Sequence, residues 1–183
     1  MFTPLELISP AYLKQQRVLH AAPRGYGGRG SKWAGVVLQV ALEYQASSIL
    51  DYGCGQGSLA ATLRAQPWNG IRISEYDPAI RGKDMMPEFA DLVVCTDVLE
   101  HIEPDRLGNV LAHLKLLARK AVFAVISLKT SNKTLKDGRN AHLIVQPGAW
   151  WKDRLRKAGF TLHNPPTVVR EGVGKEWVVV LTS

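Results

Sequence analysis

The sequence predicts an α/β fold built on a doubly wound, mainly parallel sheet. Segments with helical spacing alternate with short apolar segments typical of strands along most of the 183 residues. Such alternation is typical of a parallel sheet that carries helices on both faces. Two strand-like segments near the C-terminus predict an antiparallel hairpin strand at the sheet edge. A chain of this length is long enough for one domain with a sizeable core.

Residues 1–45 precede the first predicted strand, and we interpret them as an N-terminal helical extension or lid. Helices are expected over residues 9–22 and 32–45, and the four glycines of residues 23–31 predict a loop between them. The rest of the chain, residues 46–183, is expected to hold the sheet and the main ligand site.

The remaining elements alternate in order along the main domain. Strands are predicted by apolar runs or period-two alternation, at residues 47–50, 70–76, 89–96 and 121–128. Helices are predicted between them by apolar residues at helical spacing, at residues 58–66, 106–120 and 147–160. Two final strands joined at residues 171–174 complete the sheet.

The charge balance is moderately basic, with 23 Lys and Arg against 16 Asp and Glu and a net charge of +7. This charge favours anionic partners such as nucleic acid, although solubility alone accounts for many such charges. Two cysteines exclude a disulfide scaffold and favour a reducing cytoplasm. The N-terminus lacks a basic leader, and no apolar run reaches the length of a membrane span. We therefore predict a cytoplasmic protein without a membrane segment, and its oligomeric state is left open.

A glycine-rich turn follows the first predicted strand in SSILDYGCGQGSLAATL, residues 47–63. Gly53, Gly55 and Gly57 allow a tight turn and a close approach of the backbone to a ligand, and the next helix presents free N–H groups. The spacing differs from the GxGxxG of dinucleotide-binding proteins because position 58 is Ser58, and the GK[ST] of P-loops is absent. A structural turn in another α/β protein remains the alternative.

A carboxylate is expected at the end of the second predicted strand. Asp77 lies twenty residues after Gly57, in SEYDP, where it can accept hydrogen bonds from both hydroxyls of a ribose. Glu75 faces the same way on a strand and is the alternative acceptor. The alternative without a ligand is that Asp77 is a solvated acid in a turn.

Three motifs make the interpretation of the turn more specific. ILDYGCGQG resembles the first motif of class I S-adenosylmethionine (SAM)-dependent methyltransferases, and FADLVVCTDVLEHIEP is similar to their fourth-strand segment with its LEH motif. LKDGRNAHLIVQPGAWWKDRLRKAGF resembles the end of small methyltransferases of bacteria and their phages. The chain is therefore similar to this class of enzyme, in its small bacterial or phage type.

The resemblance implies a Rossmann-like sheet of the seven-strand type and SAM as the cofactor. The residues between Asp77 and Phe89 leave little room for the third strand of that sheet. The implied cofactor-binding residues are acids, glycines and one cysteine of these motifs: Asp51, Gly53, Cys54, Gly55, Gly57, Asp77 and Asp97. Asp51 is expected near the methionine amino end of the cofactor.

The segment around the fourth-strand motif excludes two methyl-transfer classes. Enzymes that methylate DNA amino groups carry Asn/Asp-Pro-Pro-Tyr/Phe where this chain has TDVL. Carbon-5 cytosine enzymes need a nucleophilic Pro-Cys, whereas Cys95 lies within the strand and is expected to be buried. His101 is the favoured general base because imidazole titrates near neutral pH, although a structural role is the alternative. His142 is the second catalytic candidate.

A divalent-metal site is also predicted. Asp97, Glu100 and His101 lie at i, i+3 and i+4, and His142 follows the strand predicted at 121–128, near the same end of the sheet. Two carboxylates and two imidazoles suit Mg²⁺, Mn²⁺ or Zn²⁺. The set is similar to the acid-x-x-Glu-His…His pattern of the 2′-O-methyltransferases that mature small-RNA 3′ ends. That resemblance implies a metal that acidifies the accepting hydroxyl.

The combined prediction is SAM-dependent methylation of a hydroxyl on a small molecule or an RNA. The alternative is a catalytically silent SAM-binding protein that acts through protein or nucleic-acid contacts. The substrate is expected at the N-terminal extension, at the 129–146 loop or on a partner. Residues 24–33 are expected to form a mobile lid or to contact phosphates and bases, with a solvated linker as the structural interpretation.

Overall fold

A six-stranded mixed sheet lies at the centre of the fold. The computed structural model describes residues 6–22, 26–66, 70–165 and 176–183. The strands in chain order are β1 (Ser48–Tyr52), β2 (Arg72–Tyr76), β3 (Ala90–Thr96), β4 (Ala118–Ser127), β5 (Thr161–His163) and β6 (Glu176–Thr182). Across the sheet the order is β2-β1-β3-β4-β6-β5. The first four strands run parallel, and β6 runs antiparallel to both β4 and β5.

The predicted α/β fold with a mainly parallel sheet and an antiparallel C-terminal strand is confirmed. The chain moves outward from β1 to β2 and then returns past β1 to β3, so the strand order reverses between β1 and β3. Ligands in sheets of this kind bind beyond the carboxyl ends of the strands at such a reversal. The glycine-rich turn after β1 lies at this position.

The helices occupy the predicted places with shorter ends. They are α1 (Pro10–His20), α2 (Ala34–Glu43), α3 (Ser58–Arg64), α4 (Leu107–Leu117) and α5 (Gly148–Lys157), with short 3-10 helices at Gly30–Trp33 and Leu99–His101. The helix predicted over 106–120 ends at Leu117, because Ala118 is extended and pairs with Ala90 as the first residue of β4. The helical apolar spacing of this segment therefore continues into the strand.

Two strand predictions have separate outcomes. Residues 77–89 are all described and contain no strand, in agreement with the little room that the sequence leaves there. The first strand of the predicted final pair and its turn at 171–174 lie outside the described residues. In the described part, the partners of β6 are β4 and the three-residue β5.

The core lies on both faces of the sheet. Alternate residues of β4 point to opposite faces, so that Val122 packs on the side of α4 and α5 while Phe123 packs on the side of α2 and α3. Trp151 is fully buried and Trp150 only partly, as expected for neighbours on one helix. Helix α2 therefore shares its core with the sheet, although it precedes residue 46.

Helix α1 packs elsewhere. Its buried Tyr12 joins Leu135 and Ala141 of the loop after β4 in a small separate cluster. No helix in the described part of the chain is long and apolar enough to cross a membrane.

Candidate active site

The glycine turn after β1 lets two other segments approach the backbone closely. Gly53 and Gly55 have φ angles of 72° and 51°, in the left-handed region that favours glycine. A Cβ at Gly53 would collide with the Val98 side chain, which leads into the 3-10 helix after β3. A Cβ at Gly55 would collide with the backbone of Gly27, whose Cα would lie 2.8 Å away. The turn therefore supports both the β3 loop and the N-terminal segment.

Gly57 and Glu75 meet on the far side of the turn. Gly57 precedes α3 with a φ of 79°, and a Cβ there would collide with the Glu75 carboxylate. Glu75 forms ion pairs with Arg64 at 2.7 Å and with Lys83 at 2.8 Å, and hydrogen bonds from these two cations hold its pKa below the usual value against the opposing effect of burial. With both oxygens engaged, Glu75 does not line the cavity described below.

Asp77 is the acid that reaches the cavity wall. Its Oδ2 accepts the Gly55 N–H at 3.0 Å and its Oδ1 accepts the Ala79 N–H at 2.9 Å. A carboxylate has about four lone-pair sites, so two remain for further donors such as ribose hydroxyls. Of the two predicted ribose acceptors, Asp77 therefore lines the cavity and Glu75 does not.

Asp51 and Cys54 lie beneath the turn rather than on the cavity wall. Both side chains are buried, and neither lines the cavity. Burial, and next the negative charge of Glu75, raise the pKa of Asp51 to about 7. Burial also raises the pKa of the Cys54 thiol. The same effect raises the pKa of Cys95, which is fully buried within β3 as predicted.

A cavity of about 520 Å³ lies over the carboxyl ends of β1 and β3. Of the predicted site residues, it is lined by Gly53, Asp77, Asp97, His101 and His142. Its volume is in the range typical of small-molecule and cofactor sites. Predicted cofactor and catalytic residues therefore share one cavity.

Glu100, His101 and His142 form a compact cluster of potential ligands. One ligand atom from each lies within 4.8 Å of the others. The Nδ1 of His101 lies 2.7 Å from the Ala141 carbonyl, and that of His142 lies 2.5 Å from the Lys129 carbonyl. Each Nδ1 therefore donates its proton to a carbonyl, which leaves Nε2 as the nitrogen of each ring that can coordinate a metal.

Glu100 is buried completely, with 0% of its surface exposed. Its Oε1 accepts the Ser127 N–H at 2.9 Å, whereas the buried Oε2 has no hydrogen-bond partner among the described residues. Burial, and next the charge of Asp97, raise the pKa of Glu100 to about 8. Burial and the neighbouring His142 lower the pKa of His101 to about 3, so that its imidazole is neutral at physiological pH.

Asp97, the fourth predicted metal ligand, lies outside this cluster. Its backbone has a φ of 56°, and its carboxylate lies 3.9 Å from Lys32 Nζ. The i, i+3, i+4 argument assumed one continuous helical turn, but helical geometry begins only at Leu99 and is 3-10. The four-ligand prediction is therefore corrected to a three-residue cluster.

The N-terminal segment covers the cavity with Tyr26 and Gly27, from the segment predicted as a lid, and with Tyr12 of α1, for which no role in the site was predicted. The Tyr26 hydroxyl lies 3.0 Å from His101 Nδ1, and the Gly27 carbonyl accepts the Gln56 N–H at 2.9 Å. The Tyr12 hydroxyl donates to the His101 carbonyl at 2.7 Å. The two contacts with His101 join positions 75 and 89 residues apart, for which no local sequence signal exists.

Asn140 is a second residue that sequence reasoning left without a defined role. Its Oδ1 accepts the backbone N–H groups of Ser131 and His142, both at 2.9 Å, and its Nδ2 donates to the Ser131 carbonyl at 2.8 Å. The amide thereby fixes His142 to the opposite strand of the loop after β4.

Comparison with known proteins identifies a family and several structural neighbours of the chain. A family model described as a methyltransferase domain matches residues 26–164. Among solved structures, a 1,6-didemethyltoxoflavin-N1-methyltransferase from Burkholderia thailandensis superposes with a TM-score of 0.65 at 20% identity, covering 100% of this chain and 94% of that one. DhpI in complex with S-adenosylhomocysteine gives 0.63 at 16%, covering 95% and 98%.

The small RNA methyltransferase HEN1 gives a TM-score of 0.62 at 14% identity, and the match covers 88% of this chain but 27% of that one. The comparison with curated proteins finds no match. The chain belongs to the methyltransferase-domain family, and its fold is that of the SAM-dependent methyltransferases of class I. Its cavity fits the cofactor, because Asp77 lies on the wall and retains acceptor capacity there.

Proposed function

We propose that this methyltransferase acts on a hydroxyl group of a small molecule or an RNA, at a divalent-metal site formed by Glu100, His101 and His142. The observation that carries the proposal is this three-residue cluster, with ligand atoms within 4.8 Å of one another beside the cofactor cavity. The orphaned Oε2 of Glu100 supports it, because a buried carboxylate oxygen without a partner is costly unless a donor or cation meets it.

The donor set is chemically suited to a cation. Two neutral imidazoles and one carboxylate are ligands for Mn²⁺ or Zn²⁺, and less so for Mg²⁺, which prefers oxygen. The backbone carbonyls of Ala141 and Lys129 orient the two rings, which is the usual support of metal-binding histidines. A divalent cation bound there would lower the pKa of a coordinated hydroxyl.

The other residues of the site position the two reactants. Asp77 would hold the ribose hydroxyls of the cofactor, and Gly53 lines the same cavity. SAM, when bound, supplies the methyl group, whose carbon bonds to the acceptor oxygen as its bond to sulfur breaks. His101 and His142 would lie beside the accepting oxygen, and the Tyr26 hydroxyl contacts His101 Nδ1 at 3.0 Å.

A hydroxyl is favoured over a neutral amine as the acceptor because only the hydroxyl must lose its proton before or during transfer. An amine in its neutral form already has a nucleophilic lone pair, and coordination to a metal would occupy that lone pair. A catalytically silent SAM-binding protein has no need for an unpartnered buried carboxylate next to two oriented imidazoles.

The test is methyl transfer from radiolabelled SAM into separated RNA, protein and metabolite fractions of a cell lysate, with and without a chelator. We expect label in the RNA or metabolite fraction as an alkali-stable ether, lost with the chelator and restored by Mn²⁺ or Zn²⁺. His101→Ala and His142→Ala should each lower the rate by about 100-fold or more. His163→Ala is the matched control, since His163 is exposed on β5 away from the cavity.

Label on nitrogen or carbon, or a rate indifferent to the chelator and to both active-site variants, would contradict metal-assisted O-methylation. Absence of label in every fraction would favour the silent protein.

A further inference from the structure

The cavity wall carries three cations. Arg29, Lys129 and Lys133 all line the cavity that holds the histidine cluster. Within the described ranges, none of the three has a carboxylate within 4.0 Å or a side-chain hydrogen bond. Cations that converge on a cavity without a partner indicate an anionic ligand.

The carboxylates of the same cavity are already engaged. Asp77 accepts two backbone N–H groups, and Glu103 accepts the backbone N–H and hydroxyl of the residue that precedes α1. Asp97 and Glu176 lie on either side of Lys32, at 3.9 and 2.8 Å. Each carboxylate of the lining therefore has a partner, whereas the side chains of Arg29, Lys129 and Lys133 have none among the described residues.

One of the three cations, Lys129, lies next to His142. The Lys129 carbonyl accepts the Nδ1–H of His142 at 2.5 Å, so the backbone of this lysine contacts the imidazole directly. Residues 129–133 (Lys129, Thr130, Ser131, Asn132 and Lys133) line the cavity without interruption. Because the Ser131 hydroxyl oxygen accepts the Lys133 N–H at 3.1 Å, its hydrogen remains free to donate.

We infer that the methyl acceptor carries a phosphate group, which Arg29, Lys129 and Lys133 bind while the accepting hydroxyl faces His142. This inference rests on the proposed hydroxyl methylation. A phosphate is favoured over a carboxylate because it offers three oxygens and up to two charges to three cations and the hydroxyl and amide donors between the lysines. The source of the phosphate is either a small phosphorylated metabolite or the backbone of an RNA.

The experiment measures binding alone, so that it is independent of metal and of methyl transfer. The protein is saturated with S-adenosylhomocysteine in a chelator, and ribose 5-phosphate, ribose and a six-nucleotide RNA are titrated by calorimetry. We expect ribose 5-phosphate to bind at least about tenfold more tightly than ribose. Lys129→Gln and Lys133→Gln should each weaken it by about threefold to tenfold.

Lys136→Gln is the matched control, because Lys136 lies on the same loop, is exposed and does not line the cavity. Equal affinity for ribose 5-phosphate and ribose, or an equal loss in Lys136→Gln, would overturn the inference. Tighter binding of the RNA than of ribose 5-phosphate, lost in Lys129→Gln, supports the inference with RNA as the phosphate source. Tighter binding of ribose 5-phosphate than of the RNA, again lost in Lys129→Gln, supports the inference with a small metabolite as the phosphate source. If the phosphate-binding test fails while metal-dependent methyl transfer is still observed, the inference is wrong and the proposed function stands.

Discussion

Replacement of Gly55 by alanine tests how the glycine turn and the N-terminal segment depend on each other. The residue has a φ of 51°, and a Cβ would meet the Gly27 backbone, with the Cα 2.8 Å away. A backbone cannot give way as a flexible side chain does, so residues 26–28 would have to move. Their displacement would break the hydrogen bond from Gln56 N–H to the Gly27 carbonyl, which is 2.9 Å long.

The expected cost has two parts. The left-handed conformation costs alanine about 1–2 kcal/mol, and the lost hydrogen bond costs about 0.5–1.5 kcal/mol, which gives about 1.5–3.5 kcal/mol together. The free energy of unfolding, measured by urea titration with linear extrapolation, should fall by this amount. Because Gly27 and Tyr26 line the cavity, the affinity for S-adenosylhomocysteine should also fall, by about tenfold.

Gly28→Ala is the matched control, since a Cβ at Gly28 would meet nothing within 4 Å. It should leave the unfolding free energy within about 0.5 kcal/mol of the wild type. If Gly55→Ala were as stable as Gly28→Ala and bound S-adenosylhomocysteine equally well, the contact between the turn and the N-terminal segment would not exist in solution.

Three further predictions follow from single contacts. Asp77→Asn should weaken S-adenosylhomocysteine binding by about tenfold to 100-fold in calorimetry, because the charged acceptor is lost; unchanged affinity would exclude its ribose role. Asn140→Ala should lower the methyl-transfer rate by about 10-fold to 100-fold at unchanged cofactor affinity, because His142 loses its anchor; a change confined to stability would contradict this. Asp91 accepts the backbone N–H and the hydroxyl of Ser47, at 2.9 and 2.8 Å, and these bonds hold its pKa below the usual value. Its stabilising contribution is therefore present above about pH 4 and is lost as pH falls through the lower pKa of the folded state. The free energy of unfolding of Asp91→Asn should be about 1–3 kcal/mol lower than that of the wild type at pH 7, and this difference should shrink in acid.

The strands and the glycine turn were predictable because their signals are local. β3 contains an apolar run at residues 92–95 that is buried on both faces, as its sequence indicates. The glycines after β1 occupy conformations that other residues adopt at a cost. The sequence also predicted that His101 and His142 meet, since both follow strands that end at the same edge of the sheet.

Other features depend on geometry that the sequence does not encode locally. Asp97 lies outside the cluster of Glu100, His101 and His142 because a 3-10 turn begins two residues later than a continuous helix would require. The cover formed by Tyr26 and Tyr12 depends on contacts between distant segments. β5 spans three residues, which is too short for a period-two pattern to be recognised.

The most direct test of the proposed metal site is a calorimetric titration of Mg²⁺, Mn²⁺ and Zn²⁺ into chelator-stripped protein in the presence of S-adenosylhomocysteine. We predict one tight site for Mn²⁺ or Zn²⁺ that is lost in both His101→Ala and His142→Ala and retained in His163→Ala. No binding of any of the three ions, or binding that both active-site variants retain, would contradict a metal centre at Glu100, His101 and His142.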